Sequence, residues 1–368
     1  MSHLYHNIFV KNDTNVYQLA KFNEARQQPI LNKPSDWYLS LVRFRIPANN
    51  IPIFKFQADK YIVSFRYFNG VNWANFEKTV VNIPQTYINI NGITTPSTYV
   101  YHYENFIRMI NIAIADAFAL FKLSYPAYPI ANNHYPYLLF DKITGLISLA
   151  YDQAFYTDRN NIEFYMSNSL YQFFTSFETT TTMIIDPPIS PVGPQNDPIA
   201  SPRPSGLQQY AYKLPFVDLG NNYVAQIYEP YTNHSVSYAG YVLSQEFPCL
   251  YNWNDCIGLT IVTYGLPVEG EIYSRTGSNG EALSYKVLTD FQINTTNGPD
   301  ARSPINYTPT AEYRLLNLIS DNELRNTDFQ IFWTSRTGEI EPLYIAPSDS
   351  FQLKLMYRSK SFNLPKML

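Results

Sequence analysis

The sequence predicts a mainly β chain of the sandwich or barrel type, interrupted by one long helix over 103–121. Three observations carry this. Short runs rich in Tyr, Phe, Val and Ile recur along the chain, separated by Gly, Asn and Pro turn signals. Aromatic residues make up 16% of the chain, with 32 Tyr and 24 Phe, and such residues favour the pleated, half-buried surface of strands. Strands also follow one another without alternating helices, which argues against a parallel α/β fold.

The elements follow in order. The first 35 residues are mixed and polar, so they read as an extended N-terminal arm. Trp37–Ile46 alternates as a strand, with Tyr38, Ser40, Val42, Phe44 and Ile46 on one face. Pro47 stops it. Runs at 61–68 and 71–76 flank Asn69-Gly70, the pair favoured in a two-residue type I′ turn. Two short strands follow at 78–83 and 86–90. Then the period changes: Tyr103, Phe106, Ile107, Ile110, Ile114, Ala117, Phe118 and Phe121 recur at helical spacing, and this stripe is expected to lie on a sheet. Strands resume at 137–140, 146–151 and 162–166, before a short helix at 169–177.

From Pro187 to Pro204, seven of eighteen residues are proline, which no sheet or helix interior holds. The segment 186–206 therefore reads as a semi-rigid connector. Beyond it, strands are expected at 223–228, 257–264, 271–274, 284–293, 329–334, 342–345 and 351–357, with hairpin turns at 278–280 and 335–339. The resulting organisation is an arm (1–35), a first β-sandwich region with the helix (36–185), the connector (186–206) and a second β-sandwich region (207–368). Ile257–Pro267 loosely echoes Trp37–Pro47, each being a strand closed by proline.

Charge is scarce, at 15% of residues against about 25% in an average soluble domain. A free monomer usually keeps more charge for solubility, so much of this surface is expected to be covered in the working state. Net charge is −4 and no run of Lys and Arg appears along the chain, so direct nucleic-acid binding is not expected. Cys249 and Cys256 are too few for a disulfide framework, and two reduced thiols are expected. The N-terminus lacks the pattern of a signal peptide, and no apolar run is long enough to span a membrane. Synthesis in the cytosol follows as an expectation.

No reactive constellation is legible. There is no His-Glu-x-x-His, no Cys-x-x-Cys, no phosphate-binding glycine loop and no Gly-x-Ser-x-Gly elbow. His3, His6, His102, His134 and His234 are scattered singly. The carboxylate pairs Glu339/Glu341 and Asp321/Glu323 are the nearest approach to acid–base chemistry. The expectation is therefore no catalytic residue, no metal ligand and no cofactor, with contact residues not readable. Two alternatives remain open: a spike or fibre module recognising glycans through exposed aromatics, and a β-sandwich glycoside hydrolase.

The segments WYLSLVRFRIPANNIPIF (37–54), DFQIFWTSRTGEIEPL (328–343) and FQLKLMYRSK (351–360) resemble the opening and closing strands of jelly-roll capsid proteins of double-stranded DNA viruses. The likeness is to penton or minor capsid proteins of virophages and polinton-like viruses. It covers about a quarter of the chain, at both ends. The resemblance implies a viral capsid subunit in the virion, made in the host cytoplasm and partnered by copies of itself and by other capsid proteins. It also implies one of two architectures: a single jelly roll from both chain ends with a large insertion, in a pentamer, or two tandem jelly rolls, in a trimer.

Overall fold

The computed structural model describes residues 3–84, 86–90, 92–179, 211–217, 223–228, 235–276, 282–293, 304–309 and 314–363. The connector at 186–206, the turn at 278–280 and His234 lie outside them. The chain is mainly β, and most of its strands sort into two packed units, bridged by a small sheet in which Tyr344–Ile345 and Tyr17–Leu19 join Tyr87–Ile90 and Ile93–Pro96.

One unit is a jelly-roll sandwich. Its first sheet runs in the order His3–Lys11, Ser350–Ser359, Trp37–Ile46, Leu316–Leu318, Val268–Glu269, with Ile305–Tyr307 also paired to Trp37–Ile46. Its second sheet runs Ile272–Thr276, Ala282–Gln292, Cys256–Thr263, Asn326–Ser335, Ile340–Pro342, with Lys21–Ala25 also paired to Asn326–Ser335. Between them Leu39, Leu41, Phe44, Leu353 and Leu355 pack on Leu259, Ile261, Phe329, Ile331 and Trp333, all buried. Trp37–Ile46, assigned from sequence to a first sandwich, is thus hydrogen-bonded to Ser350–Ser359, assigned to a second. The echo between Trp37–Pro47 and Ile257–Pro267 has a simple counterpart: the two strands stand in opposite sheets of one sandwich.

The strand Trp37–Ile46 departs from strict alternation. Lys354 is paired with Arg43 but Leu355 with Leu41, so Val42 is an extra residue, a β-bulge. Leu39 and Leu41 before it, and Phe44 and Ile46 after it, all reach the same core. Plain alternation placed Leu39 and Leu41 on the face opposite Phe44. The bulge absorbs the break in period.

The N-terminal segment is no free arm. His3–Lys11 forms nine paired positions with Ser350–Ser359, burying His6 and Ile8 and turning Tyr5, Asn7, Phe9 and Lys11 outward. Aromatic Tyr5 and Phe9 on the outer face and polar His6 on the inner one blur the alternation that would have marked the strand.

The other unit lies between residues 53 and 253. Its sheets run Tyr137–Phe140, Ile147–Asp152, Ser235–Ser244, Tyr223–Tyr228 and Ala211–Leu214, Ile162–Ser167, Ile62–Phe68, Trp73–Thr79. The long helix, Tyr103–Ser124, packs on Ile62–Phe68 and Trp73–Thr79 of one sheet and Tyr137–Phe140 of the other. Contact with both sheets explains why Met109 and Ala113, outside the expected stripe, are also buried. Asn111, a polar residue inside that helix, donates to the Leu138 carbonyl (2.9 Å) and accepts from the Leu138 amide (2.7 Å). Among the described residues no helix is long and apolar enough to cross a membrane.

The hairpin near Asn69-Gly70 is wider than a type I′ turn. Phe68 pairs with Trp73, leaving a four-residue loop in which only Gly70 has positive φ (92°). The Asn69 side chain accepts from the amides of Val71 and Asn72, both at 2.9 Å, and so does the work of a second αL residue. The strand expected at 78–83 is the end of Trp73–Thr79. The short helix expected at 169–177 is Asn168–Tyr171 followed by a 3₁₀ turn, with the Ser167 hydroxyl accepting at its start.

Candidate assembly surfaces

The residues weighed for acid–base chemistry do not form an isolated reactive pair. Asp321 accepts a hydrogen bond from Ser35, and Glu323 pairs with Arg325 at 2.6 Å. Glu341 is buried, takes a hydrogen bond from Lys55 Nζ at 2.7 Å and lies 3.4 Å from the Tyr99 hydroxyl. With Glu339 it lines a cleft of about 310 Å³ where the two units meet, beside Lys55, Lys60, Asp255 and Arg336. The Lys55 ammonium faces Glu341 across the joint, so the pair fastens one unit to the other. The same joint carries the Asp255 amide donating to the Ile53 carbonyl (2.7 Å) and the Tyr99 ring edge-on to Trp333 at 6.0 Å.

Among the described residues, no group of three His, Cys, Asp or Glu side chains stands together for a metal. Cys249 and Cys256 are both buried as free thiols, and burial pushes the Cys256 thiol up. His134 pairs with Asp152 at 2.7 Å.

His6 is the one described histidine that is buried. Its Nε2 lies 3.2 Å from Glu24 Oε2 and 3.4 Å from Arg26 Nη2. Nε2 accepts from the Arg26 guanidinium when it is unprotonated and donates to Glu24 when it carries the proton, so it serves one of the two partners at a time. These contacts tie the edge strand of the first sheet to Lys21–Ala25 of the second. Burial first, and then the Arg26 charge, lower the proton affinity of His6, while Glu24 pulls it back. A histidine whose folded value is depressed contributes stability that is present above its ordinary value of about 6.5 and lost as pH falls below it. The thermal midpoint should therefore fall on acidification below that value, and His6→Gln should flatten the fall. Identical pH slopes for the two proteins would remove His6 from the account.

The second sheet is apolar on both faces. Leu259 and Ile261 face the core, while Val262, Phe332 and Ile340 form a separate cluster on the outer face, roofed by Tyr273 and Tyr285. Tyr264 stands edge-on to Tyr285 at 5.7 Å and Tyr285 leans on Phe332 at 5.4 Å. The Tyr264 hydroxyl donates to Gln330 at 2.9 Å, yet the side chain remains 56% exposed. Tyrosine rings with an apolar body and a polar tip, fixed by their neighbours, are the chemistry of a protein contact surface. The signal was present in the sequence: IGLTIVTY and DFQIFWT carry apolar residues at both phases of the strand period, which marks cover on both sides.

A family model described as Sputnik minor capsid protein V18/19 matches residues 4–359. The chain belongs to this family. It is 30% identical over 228 residues to structural protein V19 of Sputnik virophage, covering 61% of this chain and 94% of that protein. It is 34% identical over 118 residues to the uncharacterized protein V18 of the same virophage, covering 27% and 71% respectively. A chain in the cryo-EM structure of the Sputnik virophage superimposes with a TM-score of 0.65 at 26% identity, over 99% of this chain and 100% of that one. The mavirus penton protein superimposes with a TM-score of 0.59 at 17% identity, over 98% and 100%, a likeness of fold. The family assignment makes this chain a minor capsid protein of the V18/19 type. The family name, minor capsid protein, agrees with the resemblance of the terminal strands.

Proposed function

We propose that the protein is a non-enzymatic wall subunit that joins copies of itself into a closed ring, five copies being the arrangement that a penton-like jelly roll fits. We also propose that the sandwich of 3–46 and 256–359 forms the body of the subunit, with 53–253 as an inserted unit. The entry and exit of that unit lie side by side, at Ile53 and Asp255, as for a domain inserted into a loop.

The observation that carries the self-assembly reading is the tyrosine-roofed outer face of the second sheet. A ring needs a patch that meets a different patch on the next copy, so that the contact repeats and closes. The scarcity of charge supports the same reading. Other capsid proteins are the further partners, the virion is the place of work, and two buried free thiols suit synthesis in the reducing host cytoplasm.

Light scattering coupled to size exclusion should find a symmetric oligomer. Tyr264→Asp, which places a charge on an exposed position, should shift it to monomer while leaving the melting temperature within a few degrees. A strictly monomeric parent at high concentration would overturn the proposal.

A further inference from the structure

The first sheet gathers cations that the sequence keeps apart. Arg43 and Arg45 come from one end of the chain, Lys354 from the other. Strand register sets them in two rows: Asn7, Lys354, Arg43 and, next to it, Phe9, Gln352, Arg45, Asn306. All point away from the core, because Ile8, Phe44 and Leu353 between them are buried. Neighbouring strands are about 4.8 Å apart and successive outward residues about 6.8 Å, so the three cations share a patch roughly 10 Å across. Among the described residues, neither arginine has a carboxylate at ion-pair distance.

Two aromatic rings flank them on the edge strand. Tyr5 is 51% and Phe9 59% exposed, and Lys354 Nζ sits 4.3 Å over the Tyr5 ring. Acidic groups stay at the margins. Asp13 holds Lys11, and Glu269, on the far edge strand, takes a hydrogen bond from Asn317.

We propose that this face binds single-stranded nucleic acid, with Arg43, Arg45 and Lys354 on phosphates and Tyr5 and Phe9 as platforms for bases. A flat sheet with exposed rings beside uncompensated cations matches the way such strands are held without sequence preference. A protein partner is met in the opposite order, by an apolar centre with charge on the rim. Here the cations occupy the centre and the rings the edge. The sequence gives no sign of such a patch, because a cluster in space requires no run in the chain. Each strand contributes a cation at every second position, and pairing of the two chain ends sums them.

The test uses the full chain in its assembled form and a short fluorescein-labelled single-stranded DNA, followed by anisotropy across salt concentrations. Three phosphate contacts predict a slope of log affinity against log salt of about −2, at roughly −0.7 per contact. Arg43→Glu with Arg45→Glu should cut that slope to about −0.7 and weaken binding roughly tenfold or more at low salt. Phe9→Ala should weaken binding at every salt concentration and leave the slope unchanged. Lys142→Glu, a charge reversal in the inserted unit, should change nothing. Arg43→Gln with Arg45→Gln repeats the test without added repulsion and should give the same reduced slope. The proposal fails if the parent does not bind or if the arginine variants keep its slope. It also fails if polyglutamate binds as tightly as DNA, or if the arginine variants fall apart into monomers, which would make the face a contact between proteins.

Discussion

Phe106→Ala is expected to destabilise the inserted unit by about 3–5 kcal/mol, the range for removing a large aromatic from a core that cannot collapse around the gap. Phe106 is fully buried on the inner side of the long helix. Its ring meets Phe54 at 5.0 Å, Phe173 at 5.1 Å, and Tyr61 and Trp253 at 5.4 Å each, all in edge-to-face geometry. Each such pair adds roughly 0.5–1.5 kcal/mol beyond the area it buries, and four of them converge on one side chain. The neighbours come from four separate segments of the chain, so none can move in without dragging its own element. Urea unfolding followed by circular dichroism measures the loss; a change below about 1 kcal/mol would show that the ring is not the hub of this core.

Asn111→Leu runs against intuition, because it makes a buried helix more apolar and should nevertheless weaken it. Asn111 serves both backbone groups of Leu138, accepting from its amide and donating to its carbonyl. Tyr137–Phe140 is an edge strand, hydrogen-bonded along one side only, to Ile147–Asp152. On its other side the helix supplies the missing partner. Leucine is close in volume but offers no polar atom, so a buried donor and a buried acceptor lose their partner at about 1–3 kcal/mol each. Alanine should cost at least as much, since it adds a cavity. Equal unfolding midpoints for Asn111→Leu and the parent would refute this account of the helix–strand joint.

Much of this was legible in the sequence. The helix declared itself through a 3.6-residue period sustained from Tyr103 to Phe121, long enough that no strand could imitate it. Ser350–Ser359 was clear because Phe351, Leu353, Leu355 and Tyr357 alternate without interruption. What stayed hidden has physical causes. His3–Lys11 is an edge strand with Tyr5 and Phe9 on its outer face and a histidine at one inner position, so its alternation is diluted. Val42 breaks the period of its strand, and only the pairing partner reveals which residue is extra. Above all, the sorting of strands into two units depends on contacts between residues hundreds of positions apart. Local pattern fixes where a strand runs, but not which strand it finds. The cationic face of the first sheet inherits this limit, since its rows are set by the pairing of Trp37–Ile46 with Ser350–Ser359.

The sandwich is closed by its own first and last strands, and that has a consequence for the order of events in an infected cell. While the ribosome is still translating the inserted unit, His3–Lys11 and Trp37–Ile46 have no mate for their hydrogen bonds, because Ser350–Ser359 does not yet exist. The first sheet, with its outer face, comes into being only once Ser350–Ser359 has been made. A chain that stops before Ser350 therefore lacks the strand on which both His3–Lys11 and Trp37–Ile46 are hydrogen-bonded.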